Sequence, residues 1–543
     1  MLPIFLVLKL RGLSFLIGDG DTGWHLRAGE WMIRHGRVPV TDLFSYTRSG
    51  APWFAWEWLW DVIFGWLNLH FGLNAVVLAS LLLICLSCAL TYRLALRACG
   101  NPPVAMTISL LGMVASSLHW LARPHLVTLL FTALFLMVLE RAREGRRRLL
   151  AVLPLLTILW TNLHGGFLVG IVIPGAYAGG EFCTWLLEPS EALRRAALVR
   201  ARDDALAALA CAAASLVNPY GWRLHRHIFS YLGDKYLMVH NMEFQSLDFH
   251  HPAAPFFALL LMAAAAGVFW HLARKRYVWA LLLAGWGWLA LIAVRNLPVF
   301  VLCAAAPVAA AVTEMLEAAA DSSIAVWARD TIRSFLRLAE ETAVFEKAGR
   351  LYLASALVFL GLTGIAAAKD APRFLRAGFS PSEFLVRAVD TVLLRAHGGR
   401  IFTIDLWGGY LIYRFYPSIR VFVDGRSDFY GDKFDEEWVG IDKAYAGWQA
   451  ELDKFGVDTV LLPVRAPLAG AMKESRHWKP FYDDGTAILF ERLGRAPFQA
   501  AAGIAPAEAG VVARLRKPWP KQTEAFPASP GAVSRKGQLY ELH

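Results

Sequence analysis

The feature that most constrains this chain of 543 residues is a series of long apolar runs. A transmembrane helix needs about 20 mainly apolar residues, and we identify about eleven runs of nearly that length. Charged residues make up only 18% of the chain, against roughly 25% in soluble proteins. The sequence therefore predicts a mainly α-helical, polytopic membrane protein with about 11 transmembrane helices. The predicted spans are 1–18, 74–92, 103–119, 124–140, 149–163, 166–186, 204–217, 253–270, 277–294, 297–314 and 351–368.

Lysine and arginine are distributed unequally between the two sets of short loops. The loops on one side carry 14 of them, and the short loops on the other side carry 5. Because cytoplasmic loops are enriched in Lys and Arg, the first side is predicted to be cytoplasmic. This distribution accounts for the net charge of +10 without a nucleic-acid partner, so none is predicted. Lys9 and Arg11 lie within the first apolar run, so they snorkel to the interface, line a cavity, or indicate that the first helix begins upstream of Met1.

The chain divides into three predicted regions. Residues 1–368 are predicted to form a transmembrane domain with an outer first loop, 19–73, and a cytoplasmic amphipathic segment, 315–350. Residues 369–494 alternate short β-rich runs with helical stretches, which predicts a small extracytoplasmic α/β domain. Residues 495–543 are rich in Ala and Pro, and we predict them to be disordered. The predicted strands of the α/β domain are 401–405, 421–424, 458–463 and 487–492, and its predicted helices are 433–455 and 466–475.

Polar side chains that are unfavourable inside a bilayer collect at the predicted outer face. Some have simple structural explanations: NPYG at 218–221 is typical of a helix stop, and HGG at 164–166 of a turn with positive φ. Because all of these polar clusters fall at the same predicted membrane face, we nevertheless predict one shared, outward-facing site. The candidate substrate-binding residues are His25, Glu57, Arg123, His125, Asn162, His164, Asn218, Glu243, Arg295 and Asn296.

Asp19 and Asp21 directly follow the first apolar run, in the stretch GDGDTGWH at 18–25. Paired carboxylates can act as a general base or hold a divalent cation such as Mg or Mn. Arginine and protonated histidine suit a phosphate or diphosphate head group. A lipid-linked phosphosugar would present its phosphate at this interface. There a carboxylate could deprotonate an acceptor hydroxyl while an arginine stabilises the leaving phosphate.

A second polar cluster, Asp424, Arg426 and Asp428, follows a predicted strand. Ligands of α/β folds often bind at such positions, which makes these residues a candidate acceptor site. The alternative is a salt-bridged turn that braces the α/β domain against the membrane part of the chain.

The order of these motifs resembles the GT-C superfamily of integral-membrane glycosyltransferases, and more narrowly its bacterial, largely uncharacterised members. The resemblance covers about residues 15–492. It depends on DTGWHLRAGEW (21–31), WTNLHGG (160–166), NPYG (218–221), RNLP (295–298) and FVDGRSDFY (422–430).

This resemblance implies a protein of the bacterial inner membrane that uses a polyprenyl-phosphate-linked sugar donor. It also implies that the acidic residue of the first outer loop, Asp21 and less directly Asp19, is the catalytic base or a metal ligand. Arg123 and Arg295 are assigned to the lipid phosphate from their chemistry alone. The chain shows no clear second acidic motif between 74 and 252, which makes a metal requirement doubtful.

Three functions are compatible with these features. The first is transfer of a sugar from a polyprenyl-phosphate donor to a glycan, lipid or protein acceptor on the outer side. The second is a transporter or flippase for a lipid-linked or small polar substrate, but transporters typically have matched repeats and polar residues near the membrane midplane. The third is a non-catalytic membrane scaffold with the same architecture. We predict the first.

Overall fold

The computed structural model describes residues 2–10, 12–349, 351–368, 370–388 and 399–494. All of them belong to one compact unit, Met1–Phe498. The predicted disordered tail, 495–543, lies outside the described residues.

Helices account for most of the described structure, as predicted. The sixteen helices of the first 367 residues are α1 (Leu2–Leu10), α2 (Asp21–His35), α3 (Trp58–Phe71), α4 (Leu73–Cys99), α5 (Pro102–Ser116), α6 (His125–Arg143), α7 (Val152–Leu163), α8 (Val169–Leu187), α9 (Glu191–Ala214), α10 (Trp222–Leu232), α11 (Lys235–His240), α12 (Ala254–Ala273), α13 (Tyr277–Ile292), α14 (Leu297–Ala320), α15 (Val326–Gly349) and α16 (Leu351–Ala367) within the described ranges. Those that follow are α17 (Asp405–Phe415), α18 (Ser427–Tyr430), α19 (Asp432–Asp442), α20 (Trp448–Lys454) and α21 (Pro467–Glu474).

Six helical segments among the described residues are long and apolar enough to cross a membrane, and each coincides with a predicted span. The chain is therefore a multi-pass membrane protein, although the predicted number of about 11 spans is not confirmed. The six segments are Leu73–Cys99, Pro102–His119, His125–Arg143, Gly165–Leu187, Ala254–Ala273 and Val294–Ala320.

The remaining predicted spans correspond to shorter or more polar helices. Tyr277–Ile292 and Leu353–Ala367 are apolar but short. The first apolar run forms α1 and then a separate 3-10 segment, Gly12–Ile17, rather than one spanning helix. The break follows from the backbone of Gly12, whose φ of 66° is left-handed and ends a regular α-helix.

The C-terminal region forms a four-stranded sheet in the order β1-β2-β4-β3. β1 (Ile401–Phe402) pairs in parallel with β2 (Thr459–Pro463), whereas β4 (Ala487–Arg492) pairs antiparallel with both β2 and β3 (Trp478–Asp483). Three predicted strands are therefore found, although the first ends at Phe402.

Two details of this region differ from the prediction. The segment 421–424 is not a strand: Val421 forms only isolated bridges, to Ser45 and Ile401. Its apolar residues are buried against the first outer loop. This burial requires the same run of apolar residues as a strand within a sheet. The predicted helix 433–455 is divided into α19 and α20, which flank Gly447 in a left-handed conformation.

Helix α2 packs directly against α17 of the C-terminal region through glycines. A Cβ atom placed on Gly23 would lie 2.3 Å from the carbonyl oxygen of Gly409, and one on Gly20 would lie 1.9 Å from that of Leu406. The backbones therefore approach too closely for any side chain at these positions. Gly20 and Gly23 are not merely helix breakers, because they join the first outer loop to the C-terminal region.

Substituting Gly23→Ala is expected to destabilise the protein by about 1–3 kcal/mol, the usual cost of overpacking a tight contact. Thermal denaturation of the purified protein in detergent should show a lower midpoint. The matched control is Gly440→Ala, also within a helix, where the new Cβ meets nothing closer than 4.0 Å. The control should be neutral or slightly stabilising, because Ala favours helix over Gly. An unchanged midpoint for Gly23→Ala would contradict the close contact.

Candidate active site

The site begins at the first turn of α2, where two carboxylates share one guanidinium. Arg123 Nη1 lies 2.7 Å from Asp19 Oδ2, and its Nη2 lies 2.9 Å from Asp21 Oδ2. Glu243, from the segment between α11 and α12, approaches Arg123 Nη1 at 3.2 Å. Three segments that are far apart in sequence therefore meet at one arginine.

Backbone contacts fix Arg123 beneath the start of α2. The Ala122 N–H donates to the carbonyl oxygen of Leu16 at 2.7 Å, and the Thr22 hydroxyl donates to the carbonyl oxygen of Ala122 at 3.2 Å. The turn before α6 is thus attached to both sides of the Asp19–Asp21 segment, which determines where the guanidinium can reach.

Asp21 is buried and carries several interactions of its own. The Trp24 indole N–H donates to Asp21 Oδ1 at 3.1 Å, and a Cβ atom on Gly425 would lie 1.9 Å from the same oxygen. Burial and the neighbouring Asp19 carboxylate raise the pKa of Asp21 to about 8, although Arg123 acts in the opposite direction. A carboxylate with a pKa near neutrality is a suitable general base.

A second group of side chains surrounds Glu57. Its Oε2 lies 3.6 Å from His25 Nε2, and its Oε1 lies 3.4 Å from His164 Nε2. The opposite nitrogen of His25 is 2.7 Å from Asp61 Oδ1. Burial raises the pKa of Glu57 to about 8. Arg123 acts in the opposite direction, whereas the carboxylates of Asp428 and Asp21 add to the effect of burial. Glu57 therefore lies within the electrostatic field of the Asp21–Arg123 group.

The hydrogen bonds of His164 define its tautomer. The backbone N–H of Gly166 donates to Nδ1 at 3.0 Å, and the Thr128 hydroxyl lies 2.7 Å from the same atom. A backbone N–H can only donate, so Nδ1 accepts and the neutral ring carries its proton on Nε2, which faces Glu57. Burial, with the positive charges of Arg295 and Arg123, holds the pKa of His164 well below its usual value.

The HGG turn has a different basis from the one that we predicted. Gly165 and Gly166 do not have positive φ angles. A Cβ on Gly166 would lie only 2.3 Å from Thr128 Oγ1 and 2.7 Å from His164 Nδ1. Gly166 is therefore required by the close contact that holds His164.

Arg295 lies at the edge of the Glu243 segment. Its Cζ is 4.4 Å from the centre of the Phe244 ring. Burial alone would raise the pKa of Glu243, but Arg123 and Arg295 outweigh it and lower that pKa to about 2. Within the described part of the chain, Arg295 Nη1 and Arg123 Nε are buried without a hydrogen-bond partner. Two guanidinium groups thus have donors available for an anion.

Four predicted site residues instead make structural contacts. Asn162 accepts a hydrogen bond from Trp58 Nε1 at 2.8 Å and donates to the carbonyl oxygen of Val217, which ties α3 to the end of α9. Asn218 closes its own NPYG turn through Ser215 and Tyr220. His125 Nε2 bonds the carbonyl oxygen of His119, and Asn296 donates to that of Leu289.

The second polar cluster is divided between two environments. Arg426 is buried and bonds Asp424 through Nε and Nη2, and its Nη2 also lies 2.7 Å from Asp42 Oδ1. This ion triad links the C-terminal region to the first outer loop, which is the arrangement expected of a bracing turn. Asp428 instead accepts from His227 Nε2 at 2.9 Å, near the Glu57 group.

Three residues at or near the site were not among the candidates predicted from the sequence: Asp42, Asp405 and Gly425. Asp42 completes the triad, and Gly425 makes room for the carboxylate of Asp21. Asp405 has a pKa raised to about 6, chiefly by burial, and it is close enough to raise that of Asp21. Asp405 is the acidic residue that ends the predicted strand 401–405, so it was visible in the sequence, but its proximity to Asp21 depends on the α2–α17 contact.

A divalent metal ion bound by Asp19 and Asp21, which the sequence left open, does not fit the residues as arranged. Among the described residues, no group of three or more His, Cys, Asp or Glu side chains could hold a metal ion. The facing oxygens of Asp19 and Asp21 are already paired with Arg123, whose guanidinium supplies the positive charge that a cation would bring. We therefore derive no chemical step through a metal.

The helical bundle, the paired helices α2 and α3 and the C-terminal sheet give the chain a fold that is also found among solved structures. No protein-family model and no curated protein matches the chain. Among solved structures, it is similar to the apo oligosaccharyltransferase of Archaeoglobus fulgidus, with a TM-score of 0.50 and 10% identity over 92% of this chain and 74% of that one. The oligosaccharyltransferase AglB of the same organism, in complex with an inhibitory peptide and a dolichol-phosphate, gives a TM-score of 0.50, 12% identity and the same coverage. At this identity the similarity shows a shared overall fold with these membrane oligosaccharyltransferases and nothing finer.

Proposed function

We propose that this protein is a membrane glycosyltransferase that moves a sugar from a polyprenyl-phosphate-linked donor to an acceptor on the extracytoplasmic side. The observation that carries the proposal is the group formed by Asp19, Asp21, Arg123 and Glu243, with Arg295 nearby. It combines a carboxylate suited to proton abstraction with guanidinium donors suited to a phosphate. The GT-C-like fold supports the same reaction class.

In the proposed reaction, Asp21 takes the proton of the acceptor hydroxyl. The acceptor oxygen then bonds to the anomeric carbon as the bond between that carbon and the phosphate oxygen breaks. The polyprenyl phosphate leaves as an anion. Arg295 Nη1 and Arg123 Nε would donate hydrogen bonds to it, and Asp19 would keep Arg123 oriented.

We also propose that residues 1–368 and 369–494 act as a transmembrane domain and an extracytoplasmic α/β domain of a bacterial inner-membrane protein. Contacts between the first loop and the C-terminal region support a common side of the membrane for both. The Thr47 hydroxyl donates to the carbonyl oxygen of Phe422 at 2.6 Å, and Arg426 pairs with Asp42. In this arrangement the helix 326–349 lies on the cytoplasmic side.

The proposal is tested by donor consumption. The purified protein in lipid nanodiscs is mixed with polyprenyl phosphates carrying different radiolabelled sugars, together with a cell-envelope extract as the acceptor source. Release of polyprenyl phosphate and a labelled product from at least one donor is expected. If no donor is consumed while a lipid-linked sugar crosses the bilayer of proteoliposomes, the protein is a transporter and the proposal is wrong.

The rate of transfer should rise with pH. Burial and Asp19 raise the pKa of Asp21 to about 8, and only the ionised carboxylate can accept a proton. We therefore expect kcat/KM to increase up to tenfold per pH unit below that pKa and to level off above it. The measurement is a rate profile between about pH 6 and 9, with the donor concentration well below KM. A rate that is constant throughout would contradict the assignment of Asp21 as the base.

A further inference from the structure

Glu57 differs from Asp21 in having no close partner for its carboxyl group. Its two oxygens face His25 Nε2 at 3.6 Å and His164 Nε2 at 3.4 Å, and within the described residues its carboxyl group has no shorter ion pair. These separations exceed an ordinary hydrogen bond. Three polar side chains therefore face one another without forming ordinary hydrogen bonds among themselves.

The two imidazoles are held firmly from behind. His25 Nδ1 is bonded to Asp61 Oδ1 at 2.7 Å, and its ring stacks on Trp24 with a centroid separation of 3.6 Å. His164 Nδ1 accepts from the Gly166 N–H and contacts Thr128, whose hydroxyl in turn accepts from Trp160 Nε1 at 3.1 Å. Neither ring can close the gap to Glu57 without losing these bonds. The three side chains are therefore held in positions suited to binding a ligand.

The chemistry of this group suits a neutral, hydroxyl-bearing ligand. His164 presents a donor at Nε2, and Glu57 presents oxygens that accept. Burial raises the pKa of Glu57 to about 8. Burial and, to a smaller extent, the positive charge of Arg123 hold the pKa of His25 well below its usual value. The group is thus mostly uncharged near pH 7, in contrast to the arginines that suit a phosphate. Hydroxyl groups, which both donate and accept, match it.

An aromatic side chain borders the same group. The Trp56 ring would lie 3.7 Å from a Cβ atom on Gly165, next to His164. Trp56 also contacts His227 and Tyr231, with ring centroids 5.2 Å and 5.9 Å away. A flat apolar surface beside a few converging polar groups is the usual composition of a small-molecule site.

We propose that Glu57, His25 and His164, bordered by Trp56, bind hydroxyl groups of the sugar ring of the donor. The inference rests on the proposed function, and it assigns the donor's phosphate to the arginines and its sugar to the Glu57 group. The two subsites are adjacent through Trp24, whose indole N–H donates to Asp21 and whose ring stacks on His25, while Asp21 pairs with Arg123. The substrate class is therefore a neutral sugar ring.

The test is direct sugar binding without turnover. Saturation-transfer NMR is recorded on the full chain in nanodiscs with free D-glucose, D-mannose or L-arabinose at pH 7. At least one sugar should receive saturation from the wild type, and polyprenyl phosphate carrying that sugar should displace it. Glu57→Leu should weaken binding about tenfold, because it leaves buried polar groups unpaired. Glu57→Gln, which resembles the protonated acid, should retain it within about twofold.

Two neighbouring glycines provide a matched pair. Gly166→Ala forces a Cβ to within 2.7 Å of His164 Nδ1 and should weaken sugar binding about as much as Glu57→Leu. At Gly165 the new Cβ of an alanine meets only ordinary contacts, so Gly165→Ala should bind sugar as the wild type does. Thermal melting identifies folded variants. Absence of binding by every sugar would overturn the inference, as would wild-type binding by both Gly166→Ala and Glu57→Leu. A protein that binds sugar but never consumes a donor would instead refute only the proposed function.

Discussion

Replacing Asp21 by asparagine is expected to reduce sugar transfer by about 10²–10⁴-fold, the usual contribution of a general base. Asparagine preserves the shape of the side chain and can still accept from Trp24, but it cannot take a proton. It also loses the ionic contact with Arg123. The measurement is kcat/KM for donor consumption, with thermal melting to verify that the variant is folded.

The control for this substitution is Asp248→Asn, in the same outer region. Asp248 is 71% exposed, and its recorded ion pair is with His250. It should leave transfer unchanged. If Asp21→Asn transfers sugar at the wild-type rate, the base has been misassigned. If both variants lose activity equally, the effect reflects loss of charge at the outer face rather than of a particular base.

Replacing Arg426 by leucine is expected to destabilise the protein by about 3–5 kcal/mol, the cost of breaking a buried ion pair by removing one partner. Its side chain is 1% exposed, and it neutralises both Asp42 and Asp424. Those carboxylates would remain buried without a counter-charge. We expect a markedly lower midpoint of thermal unfolding, and a weaker attachment of the C-terminal region to the first outer loop.

Arg420 provides the control for that prediction. It lies six residues away, is exposed and donates a hydrogen bond to the Ser49 hydroxyl. Arg420→Leu should change the midpoint little. In the triple variant that also replaces Asp42 and Asp424 by apolar residues, part of the stability should return, because no buried charge is then left unpaired. A stable Arg426→Leu single variant would show that the triad does not brace the fold.

The sequence predicts well those features that depend on local composition. Apolar runs such as 74–92 and 297–314 become long helices because a membrane requires every backbone polar group to be bonded within its own segment. The common location of Asp21, Arg123 and Glu243 was also predictable, because alternating spans return each outer turn to one face.

Features that depend on contacts between distant segments were not predictable. The run 421–424 has the pattern of a strand, but it is buried against residues 44–47 and within the described residues makes only one isolated bridge to the sheet, at Ile401. The glycines at 20 and 23 resemble helix breakers until Gly409 is placed beside them. Asn162 and Asn218 were predicted to belong to the shared site, but their bonds to Trp58, Val217 and Tyr220 give them structural roles.

The central claim is that a lipid-linked sugar binds at the outer face, with its phosphate at the arginines. The most direct measurement is an experimental structure of the Asp21→Asn variant with a polyprenyl-phosphate sugar bound. We predict phosphate oxygens within about 3 Å of guanidinium nitrogens of Arg123 and Arg295, and the sugar ring against Glu57 and His164. A phosphate bound elsewhere, with these arginines uninvolved, would contradict the account.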